Sequence, residues 1–186
     1  MESFEKLVGG LLERQGYWVR YAFKVELSKA EKLKIGRPSS PRWELDIVAY
    51  RARGNKVLVV ECKSYLDSFG VRYKAIVGKG HRRSSRYKLF NDASLRRVIF
   101  KRLVHQLTNA RACRSNPRIT LCLAAGKVVS EPDAKKLRAL FLKQGWSFFD
   151  PQWIKNSLRD SANLSYEDDV ATVVAKILLR NRDLGN

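Results

Sequence analysis

The sequence predicts an α/β fold, with a mixed central sheet flanked by helices and a C-terminal helical extension. Three observations predict it. Phe4, Leu7, Val8, Leu11 and Leu12 recur at helical spacing near the start. Three runs rich in β-branched and aromatic residues follow, the last two separated by a turn signal. A long helical segment then leads to a fourth such run, and a hairpin meander followed by a helix and a further strand calls for a mixed sheet covered on its faces.

The first helix spans residues 3–15, with Ser3 as candidate N-cap and Gly16 placed to end it. Residues 17–27 form the first strand, and residues 28–42, carrying Lys34, Arg37 and Arg42 with Pro38 and Pro41, form a basic loop. The second strand covers 43–53 and the third 56–64, joined at the tight-turn pair Gly54-Asn55. Residues 67–91, with Gly70, Gly78 and Gly80 among many charges, suggest a long loop with some local structure. Asp92 caps a long helix reaching about residue 114, and residues 118–125 form the fourth strand. Ser130, Pro132 and Asp133 open a helix over 131–143, and a short strand covers 146–149. Asp150-Pro151 starts another helix, and the last covers 166–182, with Glu167, Asp168 and Asp169 in its first turn and Lys176, Arg180 and Arg182 later. The 186 residues thus divide into a core over 1–150, with a basic insertion at about 67–91, and C-terminal helices over 151–186 packed on it.

The net charge of +19 and the isoelectric point near 10.2 point to a polyanionic partner. No apolar run approaches the roughly 18 residues that span a bilayer. Glu2 and Glu5 stand where a signal peptide would be basic. These features, with three cysteines and no CxxC pair, predict a protein of the reducing cytoplasm that makes no membrane contact, with Cys62, Cys113 and Cys122 as buried free thiols. The charge is concentrated. Residues 67–118 carry a net +12, whereas residues 131–186 carry +1. A block so one-sided repels itself unless a polyanion compensates it. Lys74, Lys79, Arg82, Arg83, Arg86 and Lys88 join Lys34, Arg37 and Arg42 as candidate nucleic-acid contacts. Tyr73, Tyr87 and Phe90 lie among them as candidates for base stacking, with core packing the competing use. His81, beside Arg82 and Arg83, suits a phosphate contact, and His105 reads as structural or surface.

Within the second and third strands, three charged residues sit beside apolar runs, where charge is costly unless paired. Alternation places Glu44, Asp46, Val48 and Tyr50 on one face, and Val57, Val59, Glu61 and Lys63 on one face of the next strand. Hairpin pairing can therefore bring Asp46, Glu61 and Lys63 together. Two nearby carboxylates repel, and a divalent cation resolves the conflict. Such ligands suit Mg²⁺ or Mn²⁺, while Lys63 could orient or deprotonate a water. The competing reading is a Glu–Lys ion pair with a surface aspartate. Glu5 near the first helix start could equally compensate the helix dipole. Gln106 falls on the core-facing arc of the long helix, where a polar group needs a partner.

The stretch from Glu44-Leu45-Asp46 through Val59-Val60-Glu61-Cys62-Lys63 resembles the core motif of the PD-(D/E)XK, or restriction-endonuclease-like, nuclease superfamily. Its αβββαβ core matches the element order over residues 3–125, with Leu45 standing where proline often precedes the aspartate. The opening Phe4-Glu5-Lys6-Leu7 and Leu11-Leu12-Glu13-Arg14-Gln15-Gly16-Tyr17 resembles archaeal Holliday-junction resolvases, whose pattern is shorter overall. The segment from Arg118 through Asp150-Pro151-Gln152-Trp153 resembles the end of Mrr-type endonuclease domains. The resemblance implies an Mg²⁺-dependent DNA endonuclease leaving 5′-phosphates by in-line water attack, with roles in restriction, repair or recombination. Asp46, Glu61 and the Cys62 carbonyl would hold the metal, with Lys63 handling water and Glu5 and Gln106 supporting the site. Its partner would be DNA, as duplex, junction or another branched form, and a homodimer would let two such sites cut both strands. A non-catalytic nucleic-acid-binding module with the same fold, or an RNA nuclease, are the alternatives.

Overall fold

The computed structural model describes residues 2–36, 39, 42–78, 81–163 and 169–179. Helix α1 (Ser3–Arg14) buries Phe4, Val8, Leu11 and Leu12 along one face. Its N-cap is Glu2 rather than Ser3, with the Glu2 backbone N–H donating to Glu5 Oε2 at 3.1 Å. Gly16 turns the chain at φ +80° into strand β1 (Trp18–Glu26). The expected basic loop instead begins with a short helix, α2 (Lys29–Lys34). Ser28 and Glu31 form a reciprocal capping box there, an S-x-x-E signal that the surrounding charges obscure.

Strands β2 (Arg42–Arg51) and β3 (Lys56–Lys63) pair antiparallel. The connection is a four-residue loop rather than a two-residue turn, with Gly54 and Asn55 both at positive φ and the Asn55 N–H returning to Ala52 O at 3.0 Å. Strand β4 (Arg118–Ala125) lies parallel to β3, and β5 (Ser147–Phe149) lies parallel to β4. The five strands follow sequence order across one mixed sheet.

The local structure expected within residues 67–91 is helical and helps to build the core, with residues 79 and 80 outside the described residues. The segment contains α3 (Tyr73–Val77), a single 3-10 turn (Ser84–Tyr87) and α4 (Lys88–Asn91). Val71, Ala75, Ile76, Tyr87, Leu89 and Phe90 are buried. Tyr87 and Phe90 are therefore core residues and not stacking platforms. Phe90 meets Phe141 and Trp146 with ring centroids 5.4 Å away. Tyr73 packs at the same core, and its N–H donates to Asp133 at 2.8 Å.

Helix α5 (Ala93–Asn109) starts at Asp92, whose carboxylate accepts the Leu95 N–H at 2.9 Å. It ends five residues earlier than the sequence pattern suggests. Arg111 takes φ +54° and the Ala112 N–H reaches back to Leu107 O, a helix-closing pattern normally signalled by glycine. Helix α6 (Glu131–Gln144) links β4 to β5, and Asp150 caps α7 (Pro151–Ala162) through the Trp153 N–H at 2.8 Å. Asp169 caps α8 (Val170–Leu179) through Thr172 N–H at 3.0 Å. Glu167, Asp168, Arg180 and Arg182 lie outside the described residues. No helix is long and apolar enough to cross a membrane among the described residues.

Two apolar clusters cover the two sheet faces. Helices α3 to α6 close one over Val48, Val57, Val59, Leu121 and Leu123. Helices α1 and α7 close the other over Ile47, Ala49, Leu58, Val60 and Cys122, with Ile154 of α7 inside it. β1 and β2 exchange faces midway. Val19 and Tyr21, with Ile47 and Ala49, pack under α1 and α7, but Phe23 and Val25, with Trp43 and Leu45, pack on the opposite side. The switch falls between the pairs Tyr21↔Ile47 and Phe23↔Leu45, where Ala22 has φ +47°. Strict alternation across Glu44, Asp46, Val48 and Tyr50 is therefore broken at Asp46.

Candidate active site

The interruption at Asp46 coincides with the end of β2–β3 pairing. The ladder runs from Arg51↔Lys56 to Ile47↔Val60, while β3 continues beside β4 to Lys63↔Ala125. The two strands thus part over Glu61, Cys62 and Lys63. Into the opening Asp46 directs its carboxylate, and Oδ2 accepts the Cys62 backbone N–H at 2.7 Å. The carboxylate replaces a strand partner, so a buried N–H stays satisfied while the sheet is held open. A residue in a strand points N–H and C=O the same way, so the Cys62 carbonyl is directed toward this opening too.

Glu61 and Lys63, two positions apart, share the opposite side of β3 from the Cys62 side chain. Lys63 Nζ lies 2.8 Å from Glu61 Oε1 and 3.9 Å from Asp46 Oδ2. The three side chains are 24% (Asp46), 19% (Glu61) and 17% (Lys63) exposed, dry enough to strengthen the charges but open to a small solute. Glu5 enters from α1 and lines the same cavity of about 430 Å³, together with Glu2, Trp43, Ser64, Tyr65, Ser85, Arg86 and Lys88.

Burial raises the Glu61 carboxyl above its ordinary value, and Asp46 and Glu5 add to this against the opposing pull of Lys63. Burial likewise raises Glu5, with a contribution from Asp46, against the Glu2 N–H that stabilises its charge. Burial alone would depress Lys63, but the Glu61 charge and hydrogen bond, with Asp46, hold it above its ordinary value. The acids Glu2, Glu5, Asp46 and Glu61 thus outnumber Lys63, Arg86 and Lys88 on the cavity wall, in a chain of net charge +19.

The structure brings together Asp46, Glu61, Lys63, Glu5 and Cys62, and sets Arg86 and Lys88 on the cavity wall. Gln106 does not join them. Its Oε1 accepts the Glu26 N–H at 3.0 Å and its Nε2 donates to Lys24 O at 3.4 Å. β1 is the sheet edge, and Gln106 supplies the partner its outer backbone lacks, as does Arg102 at Glu26 O, 2.7 Å away. The polar group on the core-facing arc is explained by that edge.

Among the remaining basic candidates, Arg42 pairs with Glu26 at 3.9 Å, Lys34 and Lys74 are exposed and do not line the cavity, and Arg82 and Arg83 line a separate cleft. Arg37 and Lys79 lie outside the described residues. Sequence reasoning missed Tyr65 and Trp43, which line the cavity. Tyr65 lies beyond the end of β3 at φ +46°, so strand alternation does not place it; its Oη accepts from Arg86 Nη1 at 3.5 Å. The three thiols are free, but only Cys122 is fully buried, which pushes it up to about 12; Cys62 and Cys113 are partly exposed.

Among the described residues, no three His, Cys, Asp or Glu side chains converge as a preformed metal cluster. Asp46 and Glu61 are instead turned to the Cys62 N–H and to Lys63. The donor set that remains, two carboxylates and a directed carbonyl beside an open cavity of about 430 Å³, fits an ion that retains several waters, as Mg²⁺ does. Comparisons with protein-family models, curated proteins and solved structures found no match to the chain.

Proposed function

We propose that the chain is a metal-dependent DNA endonuclease with a restriction-endonuclease-like core, hydrolysing phosphodiester bonds to leave 5′-phosphates. The observation that carries this reading is the parted β2–β3 strands, which collect Asp46, Glu61 and Lys63 in a cavity walled by Arg86 and Lys88. Asp46 and Glu61, with the Cys62 carbonyl, would hold Mg²⁺ or Mn²⁺. The bound ion would offset charge on the scissile phosphate and acidify a water.

The chain's own groups do the rest. Lys63, held protonated by its two acids, is a donor rather than a base in this state, suited to orient a water or to neutralise a phosphate oxygen. Arg86 and Lys88 supply cations at the wall, where a phosphate would enter. Glu5, whose carboxyl burial raises, would hold a proton or orient a water near the opening.

Incubation of purified protein with plasmid, junction and single-stranded DNA in Mg²⁺ or Mn²⁺ tests the reading. Cleavage should be abolished by chelation and should fall at least about 100-fold in Asp46→Ala and Lys63→Ala. Cleavage by either variant at the wild-type rate overturns it. One observation favours a second reading, a non-catalytic nucleic-acid-binding module: Lys63 already pairs with both acids, and no three-donor set is preformed among the described residues. That reading predicts tight, salt-sensitive binding without metal dependence.

A further inference from the structure

A second cleft, of about 250 Å³, is lined by Phe69, Arg72, His81, Arg82 and Arg83. No acid lines it among the described residues, and Phe69 is 67% exposed. The ring is presented from a fixed anchor. Immediately after it, Gly70 takes φ +88° so close to the Val128 backbone that a Cβ would lie 2.9 Å from its carbonyl carbon. The Val71 N–H then donates to Lys127 O at 2.9 Å, and Val71 O accepts the Val129 N–H at 3.1 Å. This clamps the chain after Phe69 to the segment that follows β4.

Every charged group in the cleft is a donor. The Arg83 guanidinium lies 5.8 Å from the Phe69 ring centroid. His81 Nδ1 accepts the Arg83 backbone N–H at 3.2 Å, which leaves Nε2 to carry the proton of the neutral ring. A ligand matching these groups has an anionic part and a flat apolar part. A nucleotide has both, and a base stacks on a phenyl ring only when it is out of a duplex.

The cleft and the acidic cavity are joined by two short stretches of chain. Tyr65 leads to Phe69 and Arg72, and Arg83 leads to Arg86, with Tyr65 and Arg86 both on the cavity wall. Phe69 is six residues beyond Lys63, so its Cα lies within about 20 Å even at full extension.

We propose that this cleft is a subsite for an unpaired nucleotide of the DNA strand. The base stacks on Phe69, and Arg72, Arg82 and Arg83 hold the flanking phosphates with His81 donating from the side. The inference builds on the nuclease reading and narrows its substrate class to DNA containing unpaired bases, single-stranded or branched, in preference to continuous duplex.

Binding is measured by fluorescence anisotropy in EDTA, where no cleavage occurs, using a single-stranded oligonucleotide and the blunt duplex of the same sequence. Phe69→Ala should weaken single-strand binding about tenfold while changing duplex binding by less than about twofold, and Phe69→Trp should retain both. A 2-aminopurine in the single strand should be quenched by wild type and by Phe69→Trp, but not by Phe69→Ala. Arg82→Ala should lower the salt slope of single-strand binding by about 0.7. Because Phe69 is exposed, unfolding temperature should be unchanged and serves as the folding control. Equal single-strand affinity in Phe69→Ala and wild type, or an equal loss on duplex, overturns the proposal. Neither result bears on metal-dependent cleavage, and loss of the cleavage reading leaves this binding result intact.

Discussion

Replacing Lys63 by methionine keeps most of the side-chain volume and removes the one ammonium placed between the acids. Nζ lies 2.8 Å from Glu61 and 3.9 Å from Asp46. At an effective dielectric of 20 these distances correspond to gross attractions of about 6 and about 4 kcal/mol. Desolvation of the charges cancels most of that, and removing one member of a buried pair typically costs about 3 to 5 kcal/mol. Partial exposure of all three side chains places the expected loss near about 3 kcal/mol at the lower end of that range. For a chain of this length the unfolding temperature in EDTA should drop by about 6 to 12 °C. Saturating Mn²⁺ should then restore more stability to Lys63→Met than it adds to wild type, because the ion replaces a missing cation in one protein and competes with a resident one in the other. Thermal denaturation followed by circular dichroism, with and without Mn²⁺, reads both effects. If the variant is as stable as wild type in EDTA, or gains no more from Mn²⁺, the electrostatic account of the opening is wrong.

Glu5 and Glu61 have carboxyls raised above 4.5, so each binds its proton more tightly in the folded state, and folding stability falls as pH rises from 4.5 through the folded values. Glu5→Gln, which keeps an acceptor for the Glu2 N–H, should flatten that decline in urea titrations at pH 5 and 7; an unchanged slope would contradict the burial of Glu5. Gln106→Ala should lower stability by about 1 kcal/mol through the lost hydrogen bonds to β1 and leave the rate of any DNA cleavage per folded molecule unaltered, whereas a large rate loss would return Gln106 to the site. Ala22→Gly should raise stability by up to about 1 kcal/mol because φ there is +47°, although glycine in an ordinary strand lowers it; a decrease measured by denaturant unfolding would show that the face exchange needs no left-handed residue.

Most of the site was legible because it rests on the simplest period in protein structure. Glu61 and Lys63 are two apart in a strand, so one face must carry both, and the hairpin had to bring Asp46 near. The face exchange at Ala22 and Asp46 was not legible, since an alanine at positive φ leaves no mark in the sequence. It matters because the same interruption frees the Asp46 carboxylate to take the Cys62 N–H. The individual elements within residues 67–91 were not legible because α3, the 3-10 turn and α4 are each shorter than the window over which a helical period can be recognised. Their burial of Ile76, Tyr87 and Phe90 is tertiary. Gln106 shows the converse error: its arc was read correctly, but the helix lies over the open edge of β1, and the backbone there claims the amide. Phe69 lay between Ser68 and Gly70 in a stretch that reads only as turn, and its exposure among arginines emerges once Val71 is clamped beside Val128.

Calorimetric titration of the metal-free protein with Mn²⁺ tests most directly whether the opening between β2 and β3 is a metal-dependent centre. Wild type should bind Mn²⁺ with a saturable isotherm, accompanied by displacement of Lys63 from its acids, and Asp46→Ala and Glu61→Gln should each weaken that binding at least about tenfold. Absence of binding by wild type, or isotherms unchanged in both variants, would contradict the account.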